Sequence, residues 1–201
     1  TENGEMFGEE YTLVAVADYV LKHTPGNTVS NLSSSRALKD VTEAYGQQYH
    51  AAAVGEVNVV AEMKRTHSVI GGEGNGGVIY PESHYGRDAL VGVGLFLSHY
   101  VAQSKKMTEL KSTYPPYFIS KNKMTLSPDM DVDKILEGLK ERYATEKVTD
   151  IDGVKIDFAQ GWVHLRKSNT EPIIRIYSEA KDEAAANQLA EEVIAAAKST
   201  L

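Results

Sequence analysis

The proline pair Pro115-Pro116 divides this chain into two segments whose hydrophobic patterns differ. Proline fixes φ and lacks a backbone N–H, so a helix does not continue through the pair. Before the pair, short apolar runs alternate with stretches of helical periodicity; after it, several short strands follow one another. We therefore predict an α/β domain with a mixed, mainly parallel sheet over residues 9–114, followed by a smaller α+β domain with an antiparallel sheet over residues 117–201.

The first segment alternates predicted helices with predicted strands. Apolar residues that recur every three to four positions indicate helices, and short β-rich runs indicate strands. A glycine-dense loop, residues 71–77, separates the last two strands. The predicted helices are residues 9–21, 34–45, 56–64 and 87–104, and the predicted strands are 27–31, 49–54, 67–70 and 78–80.

The second segment contains closely spaced strands and two helices. Asp152-Gly153 is a hairpin turn signal between two of the strands. Asp131 and Asp133 suit the positive end of the helix that they begin. The predicted strands are residues 117–126, 148–151, 154–158, 162–166 and 173–177, and the predicted helices are 131–142 and 182–198.

The composition limits the possible functions. The 201 residues include 21 Lys and Arg and 28 Asp and Glu, a net charge of −7, whereas a general nucleic-acid binder needs a basic surface. The absence of cysteine excludes disulfides, Cys-based zinc sites and thiol nucleophiles. No apolar run reaches the roughly 18 residues of a membrane span. We expect a cytoplasmic protein with neither nucleic-acid nor membrane partners.

The glycine-dense loop is the first candidate site. It has five glycines in seven residues, and glycine permits positive φ and close backbone approach to a ligand. Glu73 and Asn75 are its only long side chains, and their acceptors and amide donor suit sugar hydroxyls. Two alternatives stay open: a plain turn between strands, and a G-x-G-x-x-G dinucleotide loop over Gly72–Gly77. A strand and Pro81 follow the latter, where the dinucleotide motif needs a helix.

Arg87 and Asp88 lie at the predicted start of a long helix. Asp88 is predicted to cap that helix or to favour its positive end. Arg87 is a candidate to contact an anion or to close an ion pair. The alternative is a surface Arg87–Asp88 pair beside a solvated His84. His67, His84 and His99 do not have metal-ligand spacing, so no metal site is predicted from them.

The second candidate site is the loop Arg166–Pro172, between two predicted strands. Guanidinium groups bind phosphate oxygens in a fork, and hydroxyl and backbone N–H donors complete such a site. The pattern therefore predicts a phosphate site, with a polar hairpin as the alternative. Its candidate ligands are Arg166, Ser168, Asn169, Thr170 and, beyond the loop, Arg175.

Together the two loops resemble the α-D-phosphohexomutase superfamily of phosphoglucomutase, phosphomannomutase and phosphoglucosamine mutase. Its members carry G-E-x-S-G-H in a third domain and R-x-S-x-T-E-P in a fourth. Residues 166–172 match the second motif completely. Residues 72–77 depart from the first: Asn75 replaces Ser, and Gly77 stands where His is frequent. The resemblance covers essentially the whole chain.

The resemblance implies an isomerase that interconverts sugar 1-phosphate and 6-phosphate through a bisphosphorylated sugar. Glu73, Asn75 and Arg87 would contact the sugar. The substrate would be a hexose phosphate, with glucose 1,6-bisphosphate as the type of activator. A phosphoglucosamine mutase and a non-catalytic sugar-phosphate-binding module remain alternatives. The implied clamp for the non-reacting phosphate is Arg166, Ser168, Asn169, Thr170 and Arg175.

The resemblance also implies that other domains carry the chemistry. The family's phosphoserine loop and its D-x-D-x-D-R magnesium loop do not occur in this sequence. Residues 129–133 have the acidic spacing but lack the arginine, and we interpret them as a helix cap. We expect domains three and four of a longer magnesium-dependent phosphoprotein, with residues 1–8 as the tail of a preceding domain. Its partners would be the parent's N-terminal domains, and the chain by itself would be inactive, with no catalytic or metal residues.

Overall fold

The structure is a computed structural model that describes residues 1–127, 130–168 and 170–199. Asn169 and Asp129, which belong to two of the motifs above, lie outside the described residues. The chain forms two compact units, unit 1 over Thr1–Pro116 and unit 2 over Tyr117–Leu201.

Unit 1 is built on a four-stranded sheet. Its strands are β1 (Thr28–Asn31), β2 (Tyr49–Ala52), β3 (Ile70–Glu73) and β4 (Gly77–Ile79), in the order β2-β1-β3-β4. β1 pairs in parallel with both β2 and β3, and β4 pairs antiparallel to β3. The predicted mixed, mainly parallel sheet is confirmed.

The helices of unit 1 cover both faces of this sheet. They are α1 (Glu9–His23), α2 (Ala37–Ala44), α3 (Glu56–Thr66), α4 (Ala89–Gln103) and the short α5 (Met107–Lys111), which the sequence did not predict. Successive strand residues point to opposite faces. In β3, the Cβ side of Gly71 faces Met63 of α3 and that of Gly72 faces Leu13 of α1. The sheet therefore lies between α3 and α1.

The predicted glycine loop is shorter than expected. Its first three residues, Gly71, Gly72 and Glu73, belong to β3, and only residues 74–76 form the turn to β4. A Cβ on Gly71 would lie 2.6 Å from Met63 Sδ and 2.9 Å from the carbonyl oxygen of Val29. These glycines therefore serve close packing inside the sheet. The strand predicted at residues 67–70 was correspondingly placed too early, because His67 ends α3 in the left-handed conformation.

Unit 2 is built on a five-stranded antiparallel sheet, as predicted. The strand order is β5-β9-β8-β7-β6. Gly153, with φ +68°, lies in the connection between β6 and β7, where the turn signal predicted it. The strands are β5 (Phe118–Thr125), β6 (Lys147–Thr149), β7 (Val154–Asp157), β8 (Gly161–Lys167) and β9 (Ile173–Ala180).

One face of this second sheet packs against α6 (Val132–Arg142) and α7 (Glu183–Lys198). Asp131 caps α6 and Asp182 caps α7, each through its side chain. We call the opposite surface of the sheet the polar face. Because strand side chains alternate, the residues between the core positions project from it. The core positions include Met124, Val154, Ile156, Val163, Leu165, Ile174 and Ile176.

No helix in the described part of the chain is both long and apolar enough to cross a membrane.

Candidate functional site

Glu73 is held at the carboxyl edge of the unit 1 sheet. It ends β3, and Asn31 ends the neighbouring parallel strand β1, so their side chains meet at one edge. The Glu73 side chain is buried, with 6% of the residue exposed. Its Oε1 accepts a hydrogen bond from Asn31 Nδ2 at 3.1 Å, and its Oε2 accepts one from Arg87 Nη1 at 3.2 Å. The carboxylate is therefore fixed by a donor on each oxygen.

The turn after Glu73 is held from outside by neighbouring side chains. The backbone N–H of Gly74 donates to Ser34 Oγ at 2.9 Å. A Cβ at Gly74 would collide with the carboxylate of Glu10, which would have to move away to make room for it. Asn75 lies at the exposed tip, and its Oδ1 accepts the backbone N–H of Gly77 at 3.1 Å. This bond leaves the Asn75 amide nitrogen as the group that the tip presents.

Arg87 connects two carboxylates. Its Nε and backbone N–H donate to Glu56, at 2.9 and 2.8 Å, in addition to the contact with Glu73. The prediction of an ion pair at Arg87 is confirmed. The alternative Arg87–Asp88 pair is wrong, because Asp88 instead contacts His84 Nε2 at 3.0 Å. Asp88 also accepts the Val91 N–H and caps α4, as predicted.

The carboxylates here are stabilised as anions. The backbone N–H and then the guanidinium of Arg87 lower the pKa of Glu56. The backbone N–H of Val91 and then His84 lower the pKa of Asp88. Glu56, Asn75, Arg87 and Asp88 line an open depression of about 460 Å³. It offers ionised acceptors beside amide and guanidinium donors, which is a suitable lining for a polyhydroxyl ligand.

This geometry bears on the alternatives for the glycine loop. The segment Gly72–Gly77 is a strand, a tight turn and the start of β4, with no helix N-terminus after it. A dinucleotide loop needs that N-terminus to bind the pyrophosphate, so the dinucleotide alternative is wrong. The plain turn between strands describes the backbone correctly, and the side chains around it form the candidate site.

The described candidates of the phosphate loop lie on β8, on β9 and in the connection between these strands. The loop joins β8 to β9 and closes through the Ser168 N–H, which donates to the Ile173 carbonyl at 3.0 Å. Ser168 is buried and Thr170 is exposed, and their hydroxyl oxygens lie 3.4 Å apart. The Thr170 N–H points to Ser168 Oγ, also at 3.4 Å.

Arg166 and Arg175 are directly opposite each other on β8 and β9. Opposite residues of an antiparallel pair project from the same face, where two like charges are unfavourable. Arg166 Nε is buried and has no hydrogen-bond partner within the described part of the chain. Arg175 has a 3.8 Å contact with the half-exposed Glu171, and such surface pairs contribute little. The pair is therefore short of negative charge.

Sequence reasoning missed the residues that support the glycine turn. Asn31 orients Glu73, and Ser34 holds Gly74. One signal could have indicated Asn31, because it ends a predicted parallel strand and such ends line the usual ligand edge of a sheet. Ser34 carries no comparable signal, since its contact depends on tertiary structure. Across the described residues, no group of three or more His, Asp or Glu side chains could hold a metal ion.

Two family models match this chain. The first, "Phosphoglucomutase/phosphomannomutase, alpha/beta/alpha domain III", covers residues 8–117. The second, "Phosphoglucomutase/phosphomannomutase, C-terminal domain", covers residues 121–196.

Two curated relatives have the same level of identity. A phosphoglucomutase/phosphomannomutase of Thermococcus kodakarensis is 36% identical over 193 residues, which is 94% of this chain and 42% of the relative. A phosphoglucosamine/phosphogalactosamine mutase of Sulfurisphaera tokodaii is 36% identical over 167 residues, 82% of this chain and 37% of the relative. The chain thus spans about two fifths of the length of these relatives.

Solved structures share the fold. A phosphoglucomutase/phosphomannomutase family protein of Burkholderia thailandensis matches all of this chain and 43% of its own, with a TM-score of 0.82 at 22% identity. Aspergillus fumigatus N-acetylphosphoglucosamine mutase matches 94% of this chain at 14% identity in two structures. One is a complex with glucose 1,6-bisphosphate, with a TM-score of 0.60 and 42% of that chain covered. The other is a complex with GlcNAc-6P and magnesium, with a TM-score of 0.58 and 46% of that chain covered.

Both family models match, and they match in sequence order. The chain therefore belongs to the phosphoglucomutase/phosphomannomutase family and comprises its domain III and its C-terminal domain.

Proposed function

We propose that this chain is the substrate-binding part of a hexose-phosphate mutase, an isomerase that interconverts sugar 1-phosphate and sugar 6-phosphate through a bisphosphorylated intermediate. Unit 1 binds the sugar hydroxyls and unit 2 binds the phosphate that is not reacting. One observation carries the proposal: Arg166 and Arg175 lie directly opposite each other on the two strands that the loop of Ser168 and Thr170 joins, and among the described residues the pair has one ion-pair contact, at 3.8 Å to Glu171.

A phosphate dianion resolves the unfavourable charge of this arginine pair. Each guanidinium can donate two parallel hydrogen bonds to phosphate oxygens. The buried Arg166 Nε gains the acceptor that it lacks among the described residues. The hydroxyls of Ser168 and Thr170 complete the site, and Asn169, between them in sequence, is assigned to it by the family motif.

The sugar-binding role of unit 1 rests on Glu73 and Asn75. Each oxygen of the Glu73 carboxylate accepts one hydrogen bond and keeps a further lone pair for a ligand hydroxyl. Two equivalent oxygens can bond neighbouring hydroxyls in either orientation of the ring, as a mutase requires. Arg87 is already neutralised by Glu56 and Glu73, so we assign it the task of orienting Glu73 at the sugar.

The chemical steps belong to parts of the parent protein outside this chain. Phosphoryl transfer depends mainly on positioning and charge neutralisation, and the residues above provide positioning. The described residues do not fit a magnesium site, so none of the roles that we assign to this chain depends on a bound metal ion. We assign the phosphoserine and Mg²⁺ to the preceding domains, with a glucose 1,6-bisphosphate-type activator. We place the parent in the cytoplasm, acting on hexose phosphates without nucleic-acid or membrane partners.

The phosphate site is tested by calorimetric titration of the chain with glucose 6-phosphate. Arg166→Ala should weaken binding by about 1.5–3 kcal/mol, the range for charge-assisted hydrogen bonds. Arg142→Ala, an exposed α6 arginine in the same unit, is the matched control and should leave the affinity unchanged. Equal affinity of Arg166→Ala and the unmodified chain would contradict the proposal, as would no binding of glucose 6-phosphate.

Phosphoglucosamine mutase activity is the second candidate, because the S. tokodaii relative is as similar to this chain as the T. kodakarensis one. The sugars of the two reactions differ at C2. Turnover of glucose, mannose and glucosamine phosphates by the full-length parent, with glucose 1,6-bisphosphate present, decides between them. A parent that turns over none of these sugars would instead be a non-catalytic binding module.

A further inference from the structure

We propose that Lys123, on strand β5, is a third cation of the phosphate site. This inference rests on the proposed function of the β8–β9 loop and extends it to a residue outside the family motif quoted above. It follows from the register of three adjacent strands, from the anchoring of β5 to the loop, and from the balance of charge.

The register places three basic residues in one row. Lys123 is the partner of Arg175 in the β5–β9 pair, and Arg175 is the partner of Arg166 in the β8–β9 pair. Directly opposite residues of antiparallel strands project from the same face. The row therefore crosses three neighbouring strands on the polar face, with Arg175 in the middle.

The neighbouring contacts confirm the direction of the lysine. Lys121, two pairs along and so on the same face, places its ammonium 5.8 Å from the centre of the Tyr177 ring, and these two residues are also register partners. Met124, the next residue after Lys123, is buried in the core on the other side of the sheet. Lys123 thus projects on the same side as Tyr177 and Arg175.

The end of β5 is tied to the phosphate loop itself. The N–H of Leu126 donates to the carbonyl oxygen of Pro172, the last residue of the loop motif, at 2.9 Å. Neighbouring strands lie about 4.7–4.9 Å apart, so a lysine side chain on β5 can reach an anion held above the middle strand. Lys123 is consequently kept within reach of a phosphate that both arginines bind.

The charges of the row match a dianion. Among the described residues, the ion-pair contact of this row is the one between Arg175 and the half-exposed Glu171, at 3.8 Å. Lys123 is exposed and makes no hydrogen bond or ion pair with any other residue that the structure describes. Unneutralised like charges on adjacent strands destabilise a sheet. Such a row in a chain with a net charge of −7 indicates an anionic ligand.

Edge protection is the competing explanation. β5 is an edge strand, and exposed lysines on edge strands discourage pairing with other chains. Lys147 on β6, at the opposite edge of the same sheet, provides the matched control. It is an exposed strand lysine whose register partner is Asp157, not an arginine.

The experiment titrates glucose 6-phosphate into the unmodified 201-residue chain and into Lys123→Gln, Lys123→Arg, Lys147→Gln and Arg166→Ala, at low and high salt. We expect a three- to tenfold loss of affinity for Lys123→Gln, near-complete retention for Lys123→Arg and no change for Lys147→Gln. The salt dependence of binding should also be weaker for Lys123→Gln. The thermal midpoint of ligand-free Lys123→Gln should be equal to or above that of the unmodified chain, because a like charge has been removed.

The outcomes separate this inference from the function on which it rests. If Arg166→Ala weakens binding and Lys123→Gln does not, Lys123 is no part of the site, while the phosphate loop stands. If Lys147→Gln loses as much affinity as Lys123→Gln, the effect is general electrostatics and the inference is overturned. If neither the unmodified chain nor any variant binds glucose 6-phosphate, the proposed function itself fails.

Discussion

Gly71 is a residue of unit 1 where close packing requires that there be no side chain. It lies in β3 between the Sδ atom of Met63 and the Val29 carbonyl oxygen, with no room for a Cβ. Gly94, in the middle of α4, has nothing within 4 Å of its Cβ position. The same glycine-to-alanine change should therefore have opposite effects at the two positions.

Gly71→Ala should lower the free energy of unfolding by about 1–3 kcal/mol, the usual cost of overpacking. Gly94→Ala should raise it by up to about 1 kcal/mol, because alanine is the better helix former. Urea unfolding followed by NMR signals of unit 1 measures both, since the only tryptophan, Trp162, lies in unit 2. Equal effects of the two substitutions would contradict this packing argument.

The elements of unit 1 are tied together by a carboxylate of α1. Asp18 Oδ1 accepts the hydroxyl of Tyr45 at 2.6 Å, and its Oδ2 accepts that of Tyr114 at 3.0 Å. His99 Nε2 of α4 is 3.3 Å from the same Oδ2. Burial opposes ionisation of Asp18, but the hydrogen bonds from these three residues outweigh it and lower the pKa of its carboxyl.

This lowered pKa gives the network a defined pH dependence. Because the folded-state pKa of Asp18 lies below its ordinary value of 3.8, the carboxylate stabilises the fold above that pH, and the contribution is lost as the pH falls through the folded-state pKa. Asp18→Asn should cost about 1–3 kcal/mol at pH 7 and less near pH 3. Glu5→Gln, at an exposed residue of unit 1, is the control. A stability difference that does not change between the two pH values, in urea titrations of unit 1, would refute this assignment.

Hydrophobic periodicity was sufficient to predict most elements, and the exceptions have physical causes. α5 is five residues long, too short for a helical period to be recognised. The start of β3 was misplaced because Gly71 and Gly72 have no side chain to contribute to an alternating pattern. Gly71 packs against Met63 and Gly72 against Gly77, and the sequence alone does not reveal these contacts. The caps at Asp88 and Asp131 were predictable because a cap is a local feature.

At the scale of the whole molecule, the candidate site residues could be predicted only where they are close in sequence. The candidate donors of the β8–β9 loop lie in one short segment, so the motif was sufficient to propose them. Lys123 meets Arg175 only through strand pairing, and Asn31 meets Glu73 only across the sheet. The net charge of −7 also conceals the local row of cations on the polar face.

Several large apolar side chains of α4 are exposed. Leu90, Val93, Leu97 and Val101 recur every three to four residues on one side of this helix and are 50–85% exposed. Beside them, Phe7 packs edge-on against Phe96, with the two ring centres 5.1 Å apart. Both rings and Met107 line an apolar cavity of about 330 Å³. An apolar stripe of this kind usually marks a surface that another protein surface covers.

We expect the isolated chain to self-associate through this stripe as its concentration rises. Replacing Leu90 and Val101 by lysine puts two charges on the stripe at positions that are 85% and 74% exposed, so the fold of unit 1 should tolerate the change. In sedimentation velocity over a hundredfold concentration range, the unmodified chain should show a rising weight-average sedimentation coefficient, and the double variant a constant one. The pair Lys121→Gln and Lys147→Gln on unit 2 controls for a general effect of surface substitution. A constant coefficient for the unmodified chain, or an equal rise in the double variant, would show that α4 is not an adhesive surface in solution.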